Sequence, residues 1–127
     1  MSNFVTAINC MDGRTQLPVI DFLKNNYNAK FVDNITEPGP IKYLEMRENC
    51  ELLESFKRRL DISVKKHGSN LIAIVAHYDC AGNPLPKEKQ LVQLQKSCDF
   101  IKGMYPTVEV IGIWVNDEWK VEEVYKL

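Results

Sequence analysis

No apolar run in this chain approaches the ~18 residues that a membrane-spanning helix requires. The 16 Lys and Arg are balanced by 17 Asp and Glu and form no long basic block. Nucleic acid and anionic membranes are therefore not expected partners. The opening Met1-Ser2-Asn3-Phe4 has neither the charged nor the apolar region of a secretion signal. There are only four cysteines, Cys10, Cys50, Cys80 and Cys98. Without a secretion signal they argue against a disulfide framework and for a reduced, cytoplasmic setting. Cys50 and Cys98 fall in helix-like segments and read as small buried or half-buried apolar residues. Repeats, low-complexity tracts and linkers are also missing. What remains is a chain of 127 residues, 45% apolar, expected to form a single domain over residues 1–127 with a sizeable core.

Five short β-forming runs alternate with helical patterns. Phe4–Ile8 and Leu71–Ala76 are continuous apolar runs, as in strands buried on both faces. Phe31–Thr36 is a weaker strand, interrupted by Asp33 and Asn34. Val108–Val115 is a fourth strand, and Trp119–Tyr125 a fifth with imperfect alternation. After the first strand, Gly13 permits a turn, Thr15 can cap the next helix, and Pro18 suits its first turn. Leu17, Ile20 and Leu23, with Val19 and Phe22, mark that helix's apolar face, and Asn25–Asn28 ends it.

Glu37-Pro38-Gly39-Pro40 is a rigid loop before a helical start over 41–46. An amphipathic helix spans about 49–66, burying Leu52, Leu53, Phe56, Leu60 and Val64, with its lysines and arginines solvated. His67-Gly68 closes it. Ala81–Pro86 is a second rigid loop, before a helix from Lys87 to Met104 with Leu91, Leu94, Cys98 and Ile101 on one face. The alternation predicts an α/β fold. Its sheet is mostly parallel, in order 2-1-3-4 with strand 5 antiparallel at the edge, and helices cover both faces. The order reverses between strands 1 and 3, where open α/β sheets bind ligands beyond the carboxyl ends of their strands.

Two motifs fall at that point. Cys10-Met11-Asp12-Gly13-Arg14 follows the first strand, and His77-Tyr78-Asp79-Cys80 follows the third. Cys10, His77 and Cys80 are a soft S, N, S set suited to zinc, and three protein ligands leave a fourth position for water. Zinc lowers the pKa of that water from near 16 to about 7, giving hydroxide at neutral pH. Asp12 can accept its hydrogen bond, and Arg14 can hold Asp12 ionised through a bidentate pair. A metal-free reading, with a core histidine and reduced thiols, is the bland alternative. A phosphatase loop does not fit, because three residues rather than five separate Cys10 from Arg14. A Cys-x-x-Cys redox motif is missing. Tyr78, Asp79, Asn83 and Glu37 are further loop residues near the expected mouth.

The two motifs together resemble those of the β-class carbonic anhydrases, Cys-x-Asp-Ser-Arg followed by His-x-x-Cys. The chain is similar to a small carbonic-anhydrase-like branch of that family. The resemblance implies zinc on Cys10, His77 and Cys80, a catalytic Asp12–Arg14 dyad, and reversible hydration of carbon dioxide to bicarbonate. It also implies a homodimer or higher homo-oligomer. Gly13 departs from the family's serine and Ala81-Gly82 from its glycine pair. Glu37-Pro38-Gly39 stands where the family carries an arginine- and asparagine-bearing loop, and with the first strand opening the sequence the family's N-terminal helices are not expected. Two further states stay open. Asp12 can leave Arg14 and close zinc's fourth position, as in some family members. The site can also serve another small electrophile, such as carbonyl sulfide or carbon disulfide, or a non-catalytic zinc-binding role.

Overall fold

A computed structural model describes residues 3–127. Five strands, β1 (Phe4–Asn9), β2 (Phe31–Thr36), β3 (Leu71–His77), β4 (Glu109–Val115) and β5 (Val121–Lys126), form one sheet in the order β2-β1-β3-β4-β5. The first four are parallel, and β5 runs antiparallel to β4. Four helices accompany them: α1 (Gly13–Tyr27), α2 (Pro40–Met46), α3 (Cys50–Asp61) and α4 (Lys87–Met104). The expected strand order and the antiparallel edge are both present.

Alternate residues of the buried strands feed two cores, because side chains in a strand point to opposite faces. Leu71, Ala73 and Val75 of β3 join Val19 and Leu23 of α1 on one face. Ile72, Ile74 and Ala76 join Leu44, Phe56, Leu60 and Leu94 of α2, α3 and α4 on the other. Helices therefore cover both faces. Among the described residues, no helix is long and apolar enough to cross a membrane.

Several local expectations are corrected. Asp12, not Thr15, caps α1: its carboxylate accepts the Arg14 N–H at 2.9 Å. Gly13 is the first residue of that helix rather than a turn. Val19 and Leu23 are buried as expected, with Thr15 one turn before them, but Leu17 is 70% exposed. Thr15 can be buried because its hydroxyl donates to the Asp12 carbonyl at 2.8 Å. Asn28 closes α1 in the left-handed conformation.

The helix expected to run unbroken to residue 66 leaves α geometry at Asp61 and continues as a π-helical turn, Ile62–Lys66. The wider turn carries Ser63 inward, where it hydrogen-bonds Thr6 at 2.6 Å and donates to Asp33 at 2.7 Å. His67 Nδ1 lies 2.6 Å from the same carboxylate oxygen. The polar interruption of β2 is thus used. Cys98 is fully buried as expected, but Cys50 opens α3 on the exposed side. A β-bulge at Gly112–Ile113 shifts the β4–β5 register and explains the imperfect alternation of β5. Trp119 lies in the turn before β5 rather than within it.

Candidate metal centre

β1 and β3 are neighbours, and each ends at one of the two motifs. Cys10 and Cys80 are 4% exposed and His77 is 1% exposed. Their ligand atoms lie within 4.8 Å of one another, and among the described residues this is the one group of three or more such side chains placed to hold a metal ion.

The geometry of the donors fits zinc. Zn–S bonds near 2.3 Å at a tetrahedral angle set two sulfurs ~3.8 Å apart. The Cys10 and Cys80 Sγ atoms are 3.9 Å apart. His77 Nδ1 donates to the Tyr78 carbonyl at 2.7 Å, which leaves Nε2 as the acceptor nitrogen. That Nε2 is buried without a hydrogen-bond partner. A buried acceptor left unmatched is costly, and a cation between it and the two sulfurs would satisfy it.

The ionisation of the cluster points the same way. The Cys80 thiol donates to Cys10 and holds the Cys10 thiol well below its usual range, helped by His77 and by the backbone at Gly39 and Asp12. The Cys80 thiol is pushed up, first by that same bond to Cys10 and then by burial. Burial lowers the His77 pKa, but the Cys10 sulfur and the Tyr78 carbonyl outweigh it, so the net shift is upward. A Cys10 sulfur that ionises readily, beside a Cys80 and a His77 that hold on to their protons, forms an environment a divalent cation can take over.

Asp12 and Arg14 lie beside this cluster and are paired. Arg14 Nη2 is 2.7 Å from Asp12 Oδ2 and Nε is 3.1 Å from Oδ1, a two-pronged contact. These hydrogen bonds lower the Asp12 pKa to about 2. The Arg14 pKa is raised, first by its bond to Asp12. Arg14 also reaches the second motif, where Nη1 is 3.3 Å from Asp79 Oδ2 and Nη2 is 3.1 Å from the Asp79 carbonyl. Asp79 therefore ties the two loops together. Of the other loop residues, Tyr78 is 50% exposed. Asn83 is buried, with its amide donating to Gln93 at 2.7 Å. Glu37 uses its backbone N–H to reach the Asn9 carbonyl.

Two glutamines that motif reading passed over hold these loops. Gln16 Nε2 donates to the carbonyls of Cys10 and Asp12, at 2.8 and 2.9 Å. Gln90 Nε2 donates to those of His77 and Leu85, both at 3.0 Å. Each sits in the first turn of the helix that follows its loop, outside the two motifs. Glycine matters on either side. A Cβ on Gly39 would lie 2.7 Å from Asn83 Cβ, and one on Gly82 would lie 2.7 Å from the Pro38 carbonyl carbon. The two rigid loops touch there, and only glycine allows the approach.

Three clefts of about 520, 220 and 200 Å³ lie against α2 and α3, between α3 and α4, and beside β2. None of them is lined by Cys10, His77 or Cys80.

A family model described as "Putative carbonic anhydrase" matches residues 1–125. Solved structures share the fold at low identity. A carbonic anhydrase from Streptococcus mutans has a TM-score of 0.63 at 17% identity, with 98% of this chain and 86% of that one covered. A carbonic anhydrase from Glaciozyma antarctica gives 0.58 at 16% identity, covering 94% and 81%. A tetrameric β-carbonic anhydrase from Sordaria macrospora gives 0.60 at 10% identity, covering 97% and 81%. No curated protein matches this chain.

Proposed function

Because this chain belongs to the family described as "Putative carbonic anhydrase", we propose that it is a zinc enzyme that reversibly hydrates carbon dioxide to bicarbonate. The observation that carries the proposal is the buried Cys10–His77–Cys80 cluster, with its orphaned His77 Nε2, next to a paired Asp12 and Arg14. Cys10, His77 and Cys80 would hold the metal. Zinc in that position supplies Lewis acidity and brings the pKa of a water ligand to about 7.

The chain's own residues do the rest. With zinc bound, both cysteines would be thiolates that balance its charge, and backbone contacts from Gly39 to Cys10, and from Gly82 and Asn83 to Cys80, favour that form. The Tyr78 carbonyl fixes the His77 tautomer, which leaves Nε2 as the nitrogen that would bind the metal. Asp12 is the acceptor that orients the nucleophile's proton, since a carboxylate only accepts. Arg14 keeps Asp12 ionised and turned toward the guanidinium. A pairing of this kind supports the open form of the site over one closed by Asp12.

We extend the reading to a single zinc domain over residues 1–127, acting in a reduced compartment such as the cytoplasm, where the thiols persist. We also propose a homodimer or higher homo-oligomer. The tetrameric state named for the Sordaria macrospora enzyme supports this, as do the exposed apolar Met11, Leu17 and Tyr78.

Stopped-flow carbon dioxide hydration on zinc-replete protein tests the function. Turnover is expected to rise with a midpoint near 7 across about pH 6.5 to 9. Turnover of carbonyl sulfide or carbon disulfide alone would move the substrate and keep the metal chemistry. No turnover of any of the three, with zinc in place, would overturn the enzyme reading.

A further inference from the structure

Arg14 is held along two edges by Asp12 and Asp79 and on one face by an aromatic ring. Its Cζ lies 4.3 Å from the centroid of the Trp119 ring, the distance of a cation–π contact. Trp119 sits in the turn between β4 and β5, far in sequence from both motifs. Its backbone has φ +60, the left-handed region where turns usually place glycine. The turn is held in that conformation from several directions. Asn116 Oδ1 accepts from the N–H groups of Glu118 and Lys120, at 2.9 and 3.0 Å. The Trp119 N–H donates to the Asn116 carbonyl at 2.9 Å. Tyr78, between two of the candidate ligands, meets the indole edge-on with centroids 6.4 Å apart. A strained, over-determined residue at the margin of a site points to a role in that site.

We propose that Trp119 is a positioning residue that locks the Arg14 guanidinium against Asp12 and Asp79. The proposal rests on the reading of Asp12 as the orienting acceptor. Asp12 and Asp79 fix Arg14 within the guanidinium plane, but hydrogen bonds at its edge leave the face open to water. The side chain as a whole is 46% exposed, and the indole covers one of the guanidinium's two faces. Without it, Arg14 is free to exchange its partners for solvent, and Asp12 loses the cation that holds it away from the metal position.

The test is hydrogen exchange of the Arg14 Nε–H, followed by nitrogen-15 NMR on the full chain with and without zinc, in Trp119→Gly and Trp119→Phe. Glycine suits φ +60, so the turn survives the loss of the ring; phenylalanine keeps an aromatic face. We expect exchange to speed up about tenfold in Trp119→Gly and by no more than about threefold in Trp119→Phe, as a cation–π contact implies. Backbone amides of β4 are expected to keep their protection, and zinc content to stay unchanged. In the loaded enzyme, kcat for hydration should fall in Trp119→Gly with KM unchanged. Unchanged Arg14 exchange in Trp119→Gly would overturn the proposal. So would equal loosening of Arg14 and the β4 amides, which would mean a purely structural role. Wild-type protein with a slowly exchanging Arg14 but no hydration activity would count against the proposed function and leave the exchange result to decide Trp119.

Discussion

His77 shows why single atoms matter in this site. One ring nitrogen is committed to the Tyr78 carbonyl, and the other is buried without a hydrogen-bond partner, close to two sulfurs. His77→Ala and Cys10→Ser are therefore each expected to abolish stoichiometric zinc uptake, measured as metal retained after dialysis. Full retention by either variant would remove that residue from the ligand set. Asp12→Asn separates metal binding from chemistry. Asparagine caps a helix as well as aspartate does, so α1 should keep its start. The amide carries no charge for Arg14 to hold and cannot act as a carboxylate acceptor. We expect zinc content to be unchanged and kcat to fall roughly 10²–10⁴-fold, the usual contribution of a positioned proton acceptor. Turnover equal to wild type in zinc-loaded Asp12→Asn would sink this role.

Between residues and fold lie the loops and helices that aim the ligands. The loop 37–40 and the loop 81–86 meet at Gly39 and Gly82, and their backbones also reach the Cys10 and Cys80 sulfurs. Gly82→Ala puts a Cβ 2.7 Å from the carbonyl carbon of Pro38, where rigid backbone cannot give way cheaply. It should cost roughly 1–3 kcal/mol of stability as overpacking. It should also weaken zinc binding in a competition titration with a chelator; unchanged affinity would mean that the loop contact does not tune the thiolates. Another element-level bond is testable by pH. The Tyr105 hydroxyl donates to Asp61 at 2.6 Å, pinning the end of α4 to the end of α3, and Lys57 pairs with the same carboxylate at 2.9 Å. The Tyr105 bond, then Lys57, lowers the Asp61 pKa from 3.8. A carboxylate with a depressed folded-state pKa stabilises the fold above its unfolded value, and the contribution is lost as pH falls through the folded one. Tyr105→Phe should thus cost roughly 1.5–3 kcal/mol at pH 7, as for a hydrogen bond to a charged group. The difference in urea midpoint between the two proteins should shrink below about pH 3.8, where Asp61 in the unfolded chain becomes protonated.

At the scale of the whole molecule, the sheet brings the two motifs together by reversing strand order between β1 and β3. This much was legible in the sequence because parallel strands buried on both faces read as unbroken apolar runs, and each run ended directly in a motif. What was not legible depended on side-chain partners, some near in the chain and some distant, that residue type alone does not announce. Leu17 looked like core until Thr15 bonded back to Asp12 and took the inward position. The π-helical turn and Ser63 became intelligible only with Thr6 and Asp33 beside them. Gln16, Gln90 and Trp119 carry no motif, and they act from neighbouring helices or from a turn. The same topology predicts how the metal couples to folding. Zinc held by Cys10 on one side and by His77 and Cys80 on the other would bridge the ends of β1 and β3, and the unfolded chain has no such preformed site. Zinc at 100 times its dissociation constant should therefore add about 2.7 kcal/mol to stability. For a chain of this size, that is a rise in Tm on the order of 10 °C. Differential scanning calorimetry with and without a chelator reads the shift directly. In Cys10→Ser the shift should vanish, because the link from β1 is gone while β3 keeps its two donors. A chelator-insensitive Tm in the wild-type chain would mean that the cluster closes equally well around a proton, and that zinc is not what joins these two strands.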